Sequence, residues 1–292
     1  MSQVKIFVTG AYGQLGRELC RQIGPQAVPS DLDTLDLRNG PQIRNTLLGV
    51  RPDLVLNCAA FTQVDLGEKE VELCRAINAG AVAHIAGACR ELDCPLLQVS
   101  TDYVFSGNPP RSTPYKESDW PMPEGVYAIT KWEGEQAAAG WEKHWIVRTC
   151  GLYARPSHAE AKNFVRTMLR LGSTRRELQV VDDQVCTPSY VPHVARAILF
   201  LTGASAQQHA PWGLYHVVSS GWTTWHDFAV EIFRLAGLNV AVQPITTAQY
   251  AAPSPRPAYS VLDTSVYDAL GGPPLPDWKA ALAEYFAEMA SL

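Results

Sequence analysis

Residues 4–23, VKIFVTGAYGQLGRELCRQI, constrain this chain more than any other stretch. An apolar run that reads as a strand ends in glycine. It passes through Gly10, Gly13 and Gly16 into a helical repeat with Leu15, Leu19 and Ile23 on one face. Gly10 permits a tight turn, and Gly13 lets backbone N–H groups approach a pyrophosphate with no side chain in the way. Gly16 lets the helix pack closely on the strand. The helix N-terminus then turns its dipole and free N–H groups toward the phosphates. This predicts a dinucleotide site, although the spacing is Gly-x-x-Gly-x-x-Gly rather than the commoner G-x-G-x-x-G.

The same alternation continues. Apolar runs at 53–60 (DLVLNCAA), 95–105 (PLLQVSTDYVF) and 144–153 (HWIVRTCGLY) read as strands, and 67–92 and 126–140 read as helices. Strand and helix in turn predict an α/β fold: a Rossmann-type, doubly wound parallel sheet covered on both faces. Beyond residue 153 proline and glycine become frequent and the alternation blurs. Helices are expected within 187–203 and 223–237, and a proline-rich loop over 246–263. The expected division is a dinucleotide-binding domain over 1–153 plus 187–220 and a smaller C-terminal α/β substrate domain over 154–186 plus 221–292.

Composition narrows the function. With 47% hydrophobic residues, 18% charged and a net charge of −5, the chain has no basic stripe, so nucleic acid and anionic membranes are not expected partners. The run Val4–Val8 is too short for a signal peptide or a membrane span. The seven cysteines form no C-x-x-C pair and the seven histidines no metal spacing. The expectation is a soluble, cytoplasmic, metal-free protein acting on a small molecule.

Three further features carry chemistry. Asp31 follows the glycine turn by about 20 residues, where an acid bonds the adenosine ribose; with no basic residue before Arg38, it tilts the choice toward NAD(H). Tyr127 is the one tyrosine with a lysine four residues on, Lys131, which shares its helix face. A nearby ammonium favours the phenolate and suits tyrosine to general acid–base work. Ser100 and Thr101 stand at a strand end, where open sheets bind ligands and a hydroxyl polarises a carbonyl.

In this order the glycine turn, the strand-end STD and YAITK resemble an extended short-chain dehydrogenase/reductase. STDYVFSG, VYAITKWEGE, VVDDQVCTPSY, GLYHVVSSGWTTWHDFA and RPAYSVLD resemble the dTDP-4-dehydrorhamnose reductase family, over residues 4 to about 265. The resemblance implies reduction of the C4 ketone of dTDP-4-dehydro-L-rhamnose by NADPH or NADH. It implies Tyr127 as proton donor, Lys131 as its activator and ribose ligand, and Thr101 on the carbonyl. Tyr12, Gln14, Leu15, Asp36, Leu37, Asn57, Ala59 and Ala60 join the expected cofactor contacts. Val64, Asp65, Asp102, Tyr103, Asn163 and Arg256 are the expected substrate contacts, Arg256 for the diphosphate. Two departures stand out. Gly151 takes the place of a tryptophan that the family often carries. Glu18 matches the first glutamate of a Mg2+-bridged dimer, but TPSYVPHV offers no second acid, so no structural Mg2+ is expected and the chain is read as a monomer or homodimer. Trp222, Trp225, His216 and His226 are read as packing residues. The alternatives are a related nucleotide-sugar epimerase or dehydratase, and a non-catalytic regulatory subunit of the methionine adenosyltransferase type.

Overall fold

The computed structural model describes residues 4–158, 160–204 and 209–292. The first half runs β1 (Ile6–Thr9), α1 (Gln14–Ile23), β2 (Ala27–Ser30), α2 (Gly40–Val50), β3 (Leu54–Asn57), α3 (Val64–Gly67), α4 (Val71–Arg75), α5 (Ala81–Leu92), β4 (Leu96–Thr101), α6 (Val126–Ala139) and β5 (His144–Thr149). The second runs α7 (Phe164–Gly172), β6 (Glu177–Val181), β7 (Val185–Cys186), α8 (Val191–Leu201), β8 (Gly213–His216), β9 (Thr223–Thr224), α9 (Trp225–Ala236), β10 (Ala241–Ile245), α10 (Thr247–Tyr250), α11 (Ser265–Asp268) and α12 (Trp278–Met289).

Six strands form one sheet in the order β2-β1-β3-β4-β5-β8, every neighbouring pair parallel. The strands are buried on both faces because side chains alternate between two apolar layers. Ile6, Val8 and Leu56 meet Leu15 and Leu19 of α1 and Val194 and Ile198 of α8. Phe7 and Val55 meet Ile43 and Leu47 of α2 and Val82 and Ile85 of α5. The order reverses at β1, so the crevice for a ligand opens at the carboxyl ends of β1 and β3. A second core gathers α7, α9 and α12 around β6, which pairs in parallel with β10.

The expected single helix over 67–92 is instead α3, α4, a wide π turn over Ala76–Gly80, and α5. The turn has a visible cause. It brings Asn78 to the backbone of Phe61, whose N–H donates to Oδ1 at 2.8 Å, and to the Thr130 hydroxyl at 3.2 Å. A Cβ at Gly134 would overlap the Asn78 carbonyl, so α6 lies close against this turn. The proline-rich stretch at 246–263 opens with α10, which carries a capping box of Thr246 and Gln249.

Candidate active site

A cavity of about 1080 Å³ runs along the carboxyl ends of the sheet, from Gly10 and Gly13 to Thr101, Tyr127, Gly151 and Trp225. At one end the glycine turn behaves as its spacing requires. Gly10 has φ +63°, and a Cβ there would stand 2.8 Å from the Ala59 backbone; a Cβ at Gly16 would overlap the Gly10 carbonyl. Helix α1 has no side-chain cap and no acid in its first turn. Its first N–H groups are therefore available for an anion, a cradle that fits a dinucleotide's pyrophosphate.

Tyr12, Gln14, Leu15, Asp31, Asp36 and Leu37 line this end, and Ala59 and Ala60 the middle. Asp31 has a second task. Its carboxylate accepts from Tyr12 N and Leu32 N, both at 2.8 Å, so it closes the glycine turn while keeping lone pairs for a ribose. Asp36 is held bidentately by Arg38, which also lines the cavity.

The catalytic candidates converge at the other end. Thr101 closes β4 and caps the turn that follows, accepting from Tyr103 N at 3.2 Å and donating to Asp102 Oδ1 at 3.1 Å. Tyr127, the second residue of α6, lines the cavity with Thr101, and its ring meets Tyr103 edge-on at 5.4 Å. Lys131 lies one turn on. It is buried, and its Nζ donates to the Val99 carbonyl at 2.7 Å. Burial lowers its pKa to about 8, with the Glu135 carboxylate pulling the other way. Desolvation also pushes the Tyr127 phenol above its usual range, with the Thr101 side chain opposing. Here the structure differs from the expectation that Lys131 draws the phenol toward neutral: desolvation is the larger effect on the phenol.

Five expected contacts lie off the cavity wall. Gly16 sits beneath the turn, as its packing role demands. Asn57 is buried in a polar ladder from Thr9 to Gln98, and the Gln98 amide reaches the same Val99 carbonyl that holds Lys131. Asn163 caps α7 and donates to Gln14 Oε1 at 2.9 Å. Gln14 also accepts from Ala154 N at 3.0 Å, so it ties the 154–163 segment to the glycine turn. Arg256 pairs with Asp65 at 3.0 Å, beside the cavity rather than in its wall. Val64, Asp102 and Tyr103 do line it.

Other residues at this end of the cavity carry no role in the sequence reading. Trp225, read as packing, does pack, tilted against Phe164, and it also lines the cavity beside Gly151. Cys150, Cys186 and Ser260 line it too, and burial raises the pKa of the nearby Asp102, with the Cys150, Ser260 and Thr101 side chains opposing. No local pattern in the sequence signals these contacts. Trp222 is exposed, whereas His216 is buried and held by the Asp263 carbonyl.

Among the described residues one group of three possible metal ligands falls within 4.8 Å: Asp182, His226 and Asp227. It lies on the surface, outside the cavity. Glu18 is wholly enclosed by Arg21, Gln22 and Arg155. No helix among the described residues is long and apolar enough to cross a membrane.

Comparison with known proteins adds a lineage. The family described as "RmlD substrate binding domain" matches residues 4–291. A dTDP-4-dehydrorhamnose reductase of Streptomyces griseus is 41% identical over 285 residues, 96% of this chain and 92% of that protein. The crystal structure of a dTDP-4-dehydrorhamnose reductase from Clostridium acetobutylicum superposes with a TM-score of 0.90 at 37% identity, covering 99% of this chain and 100% of that one. One from Bacillus anthracis, solved in complex with NADP, also gives 0.90, at 34% identity over 98% of this chain and 100% of that one.

Proposed function

The chain belongs to the dTDP-4-dehydrorhamnose reductase family, and from that premise we propose that it reduces the C4 ketone of a nucleotide-linked 6-deoxy-4-ketohexose, with dTDP-4-dehydro-L-rhamnose as the substrate and dTDP-L-rhamnose as the product. One observation carries the reading. Thr101, Tyr127 and Lys131, the last one turn below the tyrosine, line the same cavity as an uncapped helix N-terminus behind a glycine turn.

A reduced nicotinamide dinucleotide, NADPH or NADH, supplies the hydride when bound. The glycine turn and the free N–H groups of α1 hold its pyrophosphate, and Asp31, Asp36, Leu37 and Arg38 surround the adenosine ribose. Thr101 and Tyr127 together orient the ketone oxygen. As the carbonyl carbon gains hydride, charge develops on that oxygen, and Tyr127 gives it a proton. The phenol carries its proton before the reaction, as a donor must. Lys131, charged and buried below, stabilises the phenolate left behind and meets the nicotinamide ribose.

In the same reading the chain divides into residues 1–153 plus 187–220, which hold the cofactor, and 154–186 plus 221–292, which close over the sugar nucleotide. Val64, Asp65, Asp102 and Tyr103 face the sugar. Asn163 supports that side through Gln14, and Arg256 meets the diphosphate once Asp65 shares it.

The test mixes purified protein, NADPH or NADH, and dTDP-4-dehydro-L-rhamnose, and follows loss of reduced-nicotinamide absorbance. Turnover is expected with at least one cofactor, and none with either rejects this sugar. Tyr127→Phe should lower kcat by roughly 10²–10⁴-fold, and a wild-type kcat in that variant rejects the donor assignment.

A further inference from the structure

We infer that Glu68 is a positioning residue for the reaction: its carboxylate caps the catalytic helix and ties it to the segment that closes the substrate end. The inference rests on the reading of Tyr127 as proton donor.

Helix α6 begins without a cap of its own. Its N-cap residue is Gly125, at φ +85°, with no side-chain hydrogen bond, and its first turn holds no acid. Tyr127 is only the second residue of that turn. An uncapped first turn frays, and its free N–H groups need a partner. Glu68, 58 residues earlier in the chain, supplies one: Oε1 accepts from Val126 N at 2.9 Å. The carboxylate also sits where the helix dipole favours negative charge.

The same oxygen accepts from the Ser254 hydroxyl at 3.0 Å. Asp65, one helical turn before Glu68, accepts from Ser254 N at 3.4 Å and pairs with Arg256 at 3.0 Å. The two acids of α3 and its C-cap therefore anchor residues 254–256. Just beyond, Pro257 and Ser260 line the cavity, as does Asp102. Space enforces the junction. A Cβ at Gly125 would stand 3.0 Å from Glu68 Oε1, 3.1 Å from Pro255 Cδ and 3.1 Å from Ser254 Oγ. Glycine at 125 lets three segments meet: the loop after β3, the start of the catalytic helix, and the substrate-side strap. Glu68 does not line the cavity, so it acts through Tyr127 and through the strap.

The experiment compares wild type, Glu68→Ala and Glu68→Gln, varying the ketosugar at saturating NADPH or NADH and the cofactor at saturating ketosugar. Steady-state kinetics with the ketosugar are read alongside amide hydrogen exchange of peptides spanning 124–131 and 252–260. Glu68→Ala should lower kcat roughly ten- to a hundredfold, the scale of a misplaced catalytic group. It should raise KM for the sugar nucleotide, leave KM for the nicotinamide within about twofold, and speed exchange in both peptides. Glu68→Gln keeps an oxygen acceptor and should recover most of kcat. Unchanged kcat and exchange in Glu68→Ala overturn the inference, as does a Glu68→Gln variant as impaired as Glu68→Ala. If Glu68→Ala does not fold, Ser254→Ala decides: a raised sugar KM with kcat retained supports the tie, and an unchanged sugar KM overturns it. Absence of ketosugar turnover in the wild type rejects the reductase reading, while the exchange comparison still decides whether Glu68 holds the two segments.

Discussion

Lys131 donates to the carbonyl of Val99 at 2.7 Å, the same oxygen that the Gln98 amide reaches at 2.7 Å. The ammonium is thereby fixed to the sheet before any ligand arrives. Its position is set by the polar ladder Thr9–Asn57–Gln98 that crosses β1, β3 and β4. The lysine needs no rearrangement to stand below the phenol, and its charge is held at the cost of its pKa.

That cost has a readable consequence. Burial brings Lys131 to about 8, while Tyr127 stays protonated well above that. The kcat/KM profile, which reports the free enzyme, should bend down above about pH 8 as Lys131 loses its proton. Lys131→Met should lower kcat/KM at every pH and abolish that bend. The stability term has the opposite sense. The folded pKa lies below the ordinary lysine value of 10.5, so burying the charged form costs stability fully below about pH 8, and the cost is lifted as pH rises toward 10.5. A bend that persists in Lys131→Met assigns it to another group.

Glu135 tunes this lysine. It follows Lys131 by one turn and forms a buried pair with Arg148, whose guanidinium lies 2.7 Å from the carboxylate, with both side chains at most 3% exposed. The carboxylate raises the Lys131 pKa against desolvation. Glu135→Gln should therefore move the alkaline bend to lower pH. It should also destabilise the fold by about 3–5 kcal/mol, because Arg148 is left buried without a counter-charge. Urea denaturation and the pH–rate profile check the two effects separately. A bend that stays in place or moves to higher pH contradicts the coupling.

What could be read in the sequence was local. The glycine turn, the strand-end Thr101 and the pair Tyr127–Lys131 each lie within one element or one junction, where spacing alone dictates geometry. The parallel sheet was legible for the same reason, through its period and its apolar runs. The missed features join distant segments. The π turn at Ala76–Gly80 exists because Asn78 serves Phe61 and Thr130. Glu68 reaches α6, and Trp225 reaches Gly151, only after the chain has folded. Arg256 is expected at the diphosphate only through the resemblance, and its pairing with Asp65 depends on a contact 191 residues away in sequence.

Arg155 is a second such contact, and it clamps the two cores together. Its guanidinium pairs with Glu18 of α1 at 3.0 Å and with Glu288 of α12 at 2.6 Å, where Tyr190 also donates to Glu288 at 2.6 Å. Burial alone would raise the Glu18 pKa, but the bonds from Arg21, Arg155 and Gln22 outweigh it and bring it to about 2. The folded pKa is depressed from 4.5, so this stabilisation is present above about pH 4.5 and is lost as pH falls toward 2. Arg155→Met should cost about 3 kcal/mol, or roughly 5 °C in Tm, and should make the acid side of the stability profile shallower. Calorimetry across that pH range measures both, and a Tm within about 1 °C of wild type denies the clamp its role.

Gly151 is where the substrate end differs from the resemblance, and its surroundings explain why a ring is absent there. Its φ is +55°, and a Cβ would meet Pro188 Cα at 3.0 Å and Trp225 Cη2 at 3.3 Å. The left-handed backbone alone costs a residue with a Cβ about 1–2 kcal/mol. Pro188 is backbone and cannot yield, so any side chain at 151 must displace Trp225, which is wedged against Phe164 at 4.8 Å. Trp225 therefore supplies the aromatic surface at this corner in place of residue 151. Gly151→Ala should lower stability by about 1–2 kcal/mol and raise KM for the sugar nucleotide with little change for the nicotinamide. Gly151→Trp should be worse on both counts, and Trp225→Ala in that background should recover part of the loss, since the two side chains compete for one space. Thermal melts and sugar KM for the two single variants and the double variant close the cycle. A Gly151→Trp variant with wild-type Tm and sugar KM would show that the space is not shared.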